Sequence, residues 1–232
     1  MSLTKASLFK EYVLKHPEEV GKVVDFDRHT DRLVTFDFTS NNKSLSAGTI
    51  ADTALFSEWI DEQLRNNNSR YGVGGYDEHR TLYARSSHFD ALEEARRLHL
   101  GVDIWGPAET AVYNPMEGRV HSFQFNDHFG DYGATIILEH QLDGLAIHSL
   151  YGHLSLASLS GLKEGQFIAK GERFAEFGIP EENGHWPPHL HFQLIFDMQG
   201  FKGDYPGVCC YSQRAAFLAN CPDPNDILAR TF

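Results

Sequence analysis

The sequence predicts a mainly β fold with antiparallel strand pairing, preceded by a smaller α+β N-terminal region. Two observations carry this expectation. From about Leu98 onward, short β-rich segments follow one another closely and are cut by glycine and proline. Before that point, apolar residues recur twice at helical spacing, with two strand-like runs between them. At 232 residues the chain can bury a full core.

Taken in order, Thr4 to about Lys15 is expected as a short amphipathic helix, with Leu8 and Tyr12 on one side, Phe9 and Val13 beside them, and Pro17 as the stop. Lys22–Phe26 and Arg32–Phe38 follow as two strands flanking a polar turn. Leu55, Phe56, Trp59, Ile60 and Leu64 place a second helix over about Asp52 to Leu64, ended by Asn66, Asn67, Asn68 and Ser69. The stretch from Arg70 to Asp90, with its glycine run between Tyr71 and Tyr76, reads as a loop. That run lacks dinucleotide-loop spacing and no phosphate-gripping lysine follows it. The expected strands beyond are 111–113, 118–125, 134–140, 145–151, 166–169, 173–177 and 189–196. This texture divides the chain into an N-terminal extension (1–70), a linker (71–97), a β domain (98–198) and a C-terminal extension packing on it (199–232).

The formal net charge of -12 argues against nucleic acid as a partner, since phosphate binding needs a basic face. It also argues against adsorption to an anionic membrane. Met1–Val20 alternates charged and apolar residues and lacks the apolar core of a signal peptide, which points to a cytoplasmic protein. Three cysteines, Cys209, Cys210 and Cys221, are odd in number and lack paired CxxC turns, so reduced structural thiols are expected.

Nine of the thirteen histidines lie between His99 and His191, so chemistry is sought in the β region. In a strand over His189–Phe196, alternation sends Leu190, Phe192, Leu194 and Phe196 into the core and leaves His189, His191 and Gln193 on the opposite face. Pro187 and Pro188 just before it disfavour a helix. His99 and Asp103 share one face at a spacing of four, with Gly101 leaving room between them. Alone, that pair reads equally as metal ligands or as a hydrogen-bonded pair. His153, in Tyr151-Gly-His-Leu, falls at the end of a strand-like run. Taken together, His99, Asp103 and His191 make three protein ligands with one position open, the arrangement of a catalytic zinc. Two spare histidines are left for proton transfer near neutral pH. A helical HExxH is absent, as is the glutamate that would follow the HxH pair of a cupin.

His99-x-Gly-x-Asp103, Tyr151-Gly-His153-Leu and His189-Leu-His191-Phe, in that order, resemble the signature of the lysostaphin/LytM-type zinc endopeptidases. Ala111–Val120, Gly133–His140 and Leu162–Glu172 also resemble the family's text, and the resemblance spans about Leu98 to Phe196. It implies the antiparallel β-sandwich called a duplicated hybrid motif, one Zn2+ per chain on His99, Asp103 and His191, and His153 and His189 as the catalytic pair. The implied substrate is a peptide, including peptides derived from bacterial cell walls. The stretch before the HxH pair departs from the family's small residues: it reads Asn183-Gly-His185-Trp186-Pro-Pro. Trp186 is expected to narrow one groove wall, and His185 is an extra base or a surface residue. Tyr76 and Arg80, just upstream of the first ligand, are expected to reach the groove as substrate contacts. The tail from Lys202 to Pro224 resembles peptidase-like domains inside larger cytosolic proteins beside aminotransferase and kinase-like domains. Two rivals remain: a zinc-bearing binding or regulatory module without turnover, and a phosphocarrier-like domain that uses a histidine pair without metal.

Overall fold

The computed structural model describes residues 4–90 and 93–232. Its strands are β1 (Leu33–Phe36), β2 (Tyr71–Gly74), β3 (Leu98–His99), β4 (Val102–Trp105), β5 (Ala111–Tyr113), β6 (Gly118–Asn126), β7 (Gly133–Leu142), β8 (Leu145–Leu154), β9 (Phe167–Ile168), β10 (Arg173–Glu176), β11 (His189–Ile195) and β12 (Val208–Cys209). The helices are α1 (Lys5–Lys15), α2 (Ala47–Ala51), α3 (Thr53–Asn66), α4 (Arg214–Asn220) and α5 (Asn225–Leu228). Eight strands form one large sheet in the order β1-β2-β4-β11-β8-β7-β6-β9, and two-stranded ladders join β10 to β5 and β12 to β3.

The fold is mainly β as expected, but the large sheet is mixed rather than wholly antiparallel, because β1 and β2 run parallel. The reason is the connection. A parallel pair needs a long crossover, and α2 and α3 supply one between β1 and β2. The glycine run read as a loop supplies β2. At Gly72 a side chain would fall 2.1 Å from the Phe36 ring, so glycine admits the neighbouring strand's aromatic residue rather than a turn. Lys22–Phe26 forms no strand, only a bridge from Val24 to Val112.

Local chemistry explains the helices. The Thr4 hydroxyl accepts from the Ser7 amide to start α1, and Pro17 follows its end. Asp52 caps α3 by accepting from the amides of Ala54 and Leu55, while Phe56, Ile60 and Leu64 line the buried stripe. That stripe joins Phe36, Phe38, Trp105 and Trp186 in one apolar cluster. The main core lies on the other side of β11, where Leu190, Phe192, Leu194 and Phe196 pack with residues of α1 and α5. Cys209, Cys210 and Cys221 are buried free thiols. Among the described residues no helix is long and apolar enough to cross a membrane.

Candidate metal centre

β4 and β11 are antiparallel neighbours, and their register sets His191 directly opposite Asp103. His99 arrives from β3, two residues before the turn into β4. Gly101 lies between them, and a side chain there would stand 2.7 Å from the His191 ring. The space that glycine leaves is therefore filled by His191. All three side chains are buried.

The three facing atoms form a small triangle. His99 Nε2 lies 2.9 Å from His191 Nδ1, His191 Nδ1 lies 3.0 Å from Asp103 Oδ1, and His99 Nε2 lies 3.2 Å from Asp103 Oδ1. Second partners settle which atoms carry protons. His99 Nδ1 donates to the Gly75 carbonyl at 2.8 Å, so its Nε2 presents a lone pair. His191 Nε2 faces Gln193 Oε1 at 2.9 Å, and the Gln193 amide nitrogen is committed to the Pro206 carbonyl and the Cys221 sulfur. Gln193 therefore accepts from His191 Nε2, and His191 Nδ1 is also a bare lone pair.

Three acceptors converge without a proton between them, a repulsive arrangement that a cation relieves. Tetrahedral ligands at the roughly 2.0–2.1 Å usual for zinc would stand about 3.3 Å apart, within a few tenths of an ångström of these edges. His99, Asp103 and His191 also make up a group of described residues with the donor types and proximity to hold a metal ion. The set fits a metal.

Arg80 secures the carboxylate. Its Nη1 donates to Asp103 Oδ2, its Nε donates to Glu78 at 2.6 Å, and its guanidinium lies 5.2 Å from the centre of the Phe38 ring. The Asp103 carboxyl is held well below the ordinary range: burial opposes this, but His99 and Arg80 outweigh it. Burial, reinforced by Arg80, brings His99 down to about 4, so the ligand is neutral near pH 7.

Beside the triangle stand His153 and His189, their ring centres 4.1 Å apart. His153 reaches this place through a bulge. Between the pairs Ala134–Leu154 and Ile136–Tyr151, Gly152 and His153 together oppose one residue of β7. His153 takes a left-handed φ of 62° there, which re-aims its ring. Its Nδ1 donates to the Asn183 carbonyl and that of His189 to the Pro187 carbonyl, both at 2.8 Å. Each Nε2 is thus left as an unprotonated base. Burial, then the neighbouring His189 and His191, push the His153 pKa well down, and burial takes His189 to about 4. Trp105 stacks on His189 at 3.8 Å and 14°, with Phe38 and Phe56 packed behind it.

A cavity of about 240 Å3 opens over this group, lined by Asp103, His153, His189 and His191 together with Tyr83, Tyr132, Trp105 and Trp186. Of the residues expected as substrate contacts, Trp186 lines it. Arg80 also borders it but is fully buried and committed to Asp103 and Glu78. Tyr76 is elsewhere, donating to the Cys221 carbonyl at 2.5 Å, and His185 is exposed, stacked on Phe129. Sequence reasoning missed Gln193 and Tyr132 as members of the site. Gln193 carried a signal, since it shares the strand face of His189 and His191. Tyr132, whose hydroxyl lies 3.4 Å from His191 Nε2, carried none.

The profile of peptidase family M23 matches residues 97–202. No curated protein matches the chain. Among solved structures, a zinc-containing peptidase from Vibrio cholerae is 27% identical over 42% of this chain and 27% of its own, with a TM-score of 0.34. Csd3 of Helicobacter pylori is 26% identical over 53% of this chain and 32% of its own, with a TM-score of 0.34. The catalytic domain of the antimicrobial peptidase lysostaphin from Staphylococcus simulans is 21% identical over 69% of this chain and 96% of its own, with a TM-score of 0.39. The chain spans about a third or less of the length of the first two. Residues 97–202 of this chain are thus similar to peptidase family M23, in line with the resemblance of its histidine motifs to the lysostaphin/LytM-type enzymes.

Proposed function

We propose that the chain is a zinc-dependent peptidase, with one zinc per chain on His99, Asp103 and His191 and with His153 and His189 as the catalytic bases. The observation that carries this reading is the buried triangle of three converging lone pairs, with two further unprotonated imidazole nitrogens beside it. Zinc bound there supplies a Lewis acid that polarises a carbonyl and acidifies water. The chain's own residues do the rest. His153 and His189 take the proton of the attacking water at Nε2 and return it to the leaving amine. Their Nδ1–H groups, tied to backbone carbonyls, fix the tautomer that leaves Nε2 free. The buried aromatic residues around the group, Tyr83, Trp105, Tyr132 and Trp186, lower the local polarity and strengthen each electrostatic contact.

The family match supports peptide hydrolysis in general, while cell-wall-derived peptides as substrates rest on the sequence resemblance. The same reading takes residues 98–198 as a β-sandwich of the duplicated hybrid motif kind, supported by the family match over 97–202. It also takes the chain as cytoplasmic. The test is cleavage of glycine- and D-alanine-containing peptides by the zinc-loaded protein and by His153→Ala. Expected is turnover by the wild type and its loss in the variant, with zinc still bound. Equal turnover by the two contradicts the catalytic role of His153, and no turnover by the wild type across the panel contradicts the peptidase reading and favours the non-catalytic zinc module.

A further inference from the structure

A second pair of histidines stands on the same face of the large sheet as the metal centre, further along it. Ile195 of β11 lies four residues beyond His191 and pairs with His148 of β8, about 13 Å along the strand from the first site. On β7, Glu139 lies directly opposite His148. On β6, Val120 pairs with Leu138 and Ser122 with Ile137, so His121 is the extra residue of a bulge. A bulge re-aims a side chain, and this one brings the His121 and His148 rings to 5.0 Å between centres, at 81°. Three neighbouring strands thus gather two imidazoles and a carboxylate that the proposed chemistry does not use.

The pair repeats the ring geometry of the first centre, where His99 and His191 stand 4.8 Å apart at 73°. Two imidazoles on one tetrahedral zinc put each ring centre about 3.2 Å from the metal, and so about 5.2 Å from each other. One nitrogen of each ring is anchored in the way that orients a metal-bound imidazole. His148 Nδ1 donates to the Ile195 carbonyl at 3.3 Å. His121 Nδ1 lies 2.8 Å from the Ser122 hydroxyl, which accepts from the Gly203 amide and has a further lone pair for it. Neither Nε2 has a hydrogen-bond partner among the described residues, and neither is sealed from solvent. Burial lowers the pKa of both histidines, so both are neutral near pH 7 and offer lone pairs. Glu139 acts on both rings, joined by Glu164 at His121 and Asp197 at His148, so the local charge favours a cation. Lys202, which opposes this at His121, is paired with Glu164 at 2.8 Å. Arg119, opposite Glu139 on β6, turns instead to the Gly165 carbonyl and the Phe167 ring. Glu139 Oε1 accepts from the Gln141 side-chain amide at 2.8 Å.

We propose that His121 and His148, with Glu139 as third ligand, form a second site for a divalent transition metal such as zinc or nickel, which clips β6 to β8 across β7. Imidazole and carboxylate suit such an ion. His121 and Glu139 are half-buried, whereas all three ligands of the first centre are buried and Arg80 fixes its carboxylate. The second site is therefore the weaker one and fills when zinc is added to the purified protein. It stands apart from the peptidase reading, and failure of that reading leaves it untouched.

The test is zinc content after equilibrium dialysis against micromolar free zinc, for the wild type, His191→Ala, His121→Gln, His148→Gln and Glu139→Gln. Expected is about one zinc fewer than the wild type in each of His121→Gln and His148→Gln, and about one zinc in His191→Ala, which keeps only the second site. In Glu139→Gln the second zinc should bind at least about threefold more weakly. Wild-type zinc content in both histidine variants, as would follow if the added ion sat on His16, Glu18 and Glu19, overturns the proposal. So does a His191→Ala protein without zinc, or an unchanged affinity in Glu139→Gln. Carbethoxylation of the wild type, mapped by mass spectrometry, reads the site without any substitution. Added zinc should remove the reactivity of His121 while the exposed His29 stays reactive. Equal modification of His121 with and without zinc overturns the proposal.

Discussion

His153 joins a backbone conformation to a chemical role. An L-residue in the left-handed region costs about 1–2 kcal/mol, and here it is held by the bulge and by Gly152, where a side chain would stand 2.5 Å from the Tyr132 ring. His153→Gly should therefore be more stable than His153→Ala by about 1 kcal/mol, although both lack the imidazole; urea denaturation of the two variants checks this. Gln193 acts at one remove, by fixing the tautomer of His191. Gln193→Leu is expected to lower zinc affinity by roughly 10–100-fold while the fold persists, as read by competition with a chromophoric chelator.

At the scale of elements, the N-terminal region forms a backing for the site. α3 places Phe56 against Trp105, and Trp105 in turn supports His189. Phe56→Ala should cost about 3–5 kcal/mol of stability, measured by denaturation, and loosen the stack beneath His189. This support was only half legible in the sequence. The helical spacing of Leu55, Phe56, Ile60 and Leu64 marked α3, and the alternation in His189–Phe196 correctly separated the core face from the histidine face. The strand β2 was hidden because its glycines answer a tertiary contact, the Phe36 ring, which no local pattern reveals. Arg80 is expected as a substrate contact because it follows a glycine-rich stretch just upstream of the first ligand; it borders the cavity but is committed to its ion pairs. Its partners Asp103 and Glu78 come together only when β2 lies beside β4.

Across the whole molecule, the buried histidines set a pH dependence. His99, His140 and His189 are each brought down to about 4, chiefly by burial, against an unfolded value near 6.5. His140 lies outside the site, bonded to the Glu117 carbonyl and the Ser149 hydroxyl. Between pH 6.5 and 4 the unfolded chain takes up more protons than the folded one, so stability falls as pH falls. Asp103 is held below its ordinary value, so its contribution is lost at still lower pH. The urea midpoint of the metal-free protein should therefore drop from pH 7.5 to pH 5, and a flat midpoint would contradict the neutral buried histidines. The same protonation opposes metal binding, because the ligand nitrogens must be bare.

The central claim is that three converging lone pairs form a metal site, and zinc content tests it most directly. We predict about one zinc per chain in the purified wild type and loss of that zinc in His191→Ala, which removes one corner of the triangle. A wild-type protein that stays free of metal after incubation with zinc, or a His191→Ala variant that keeps it, would contradict the account.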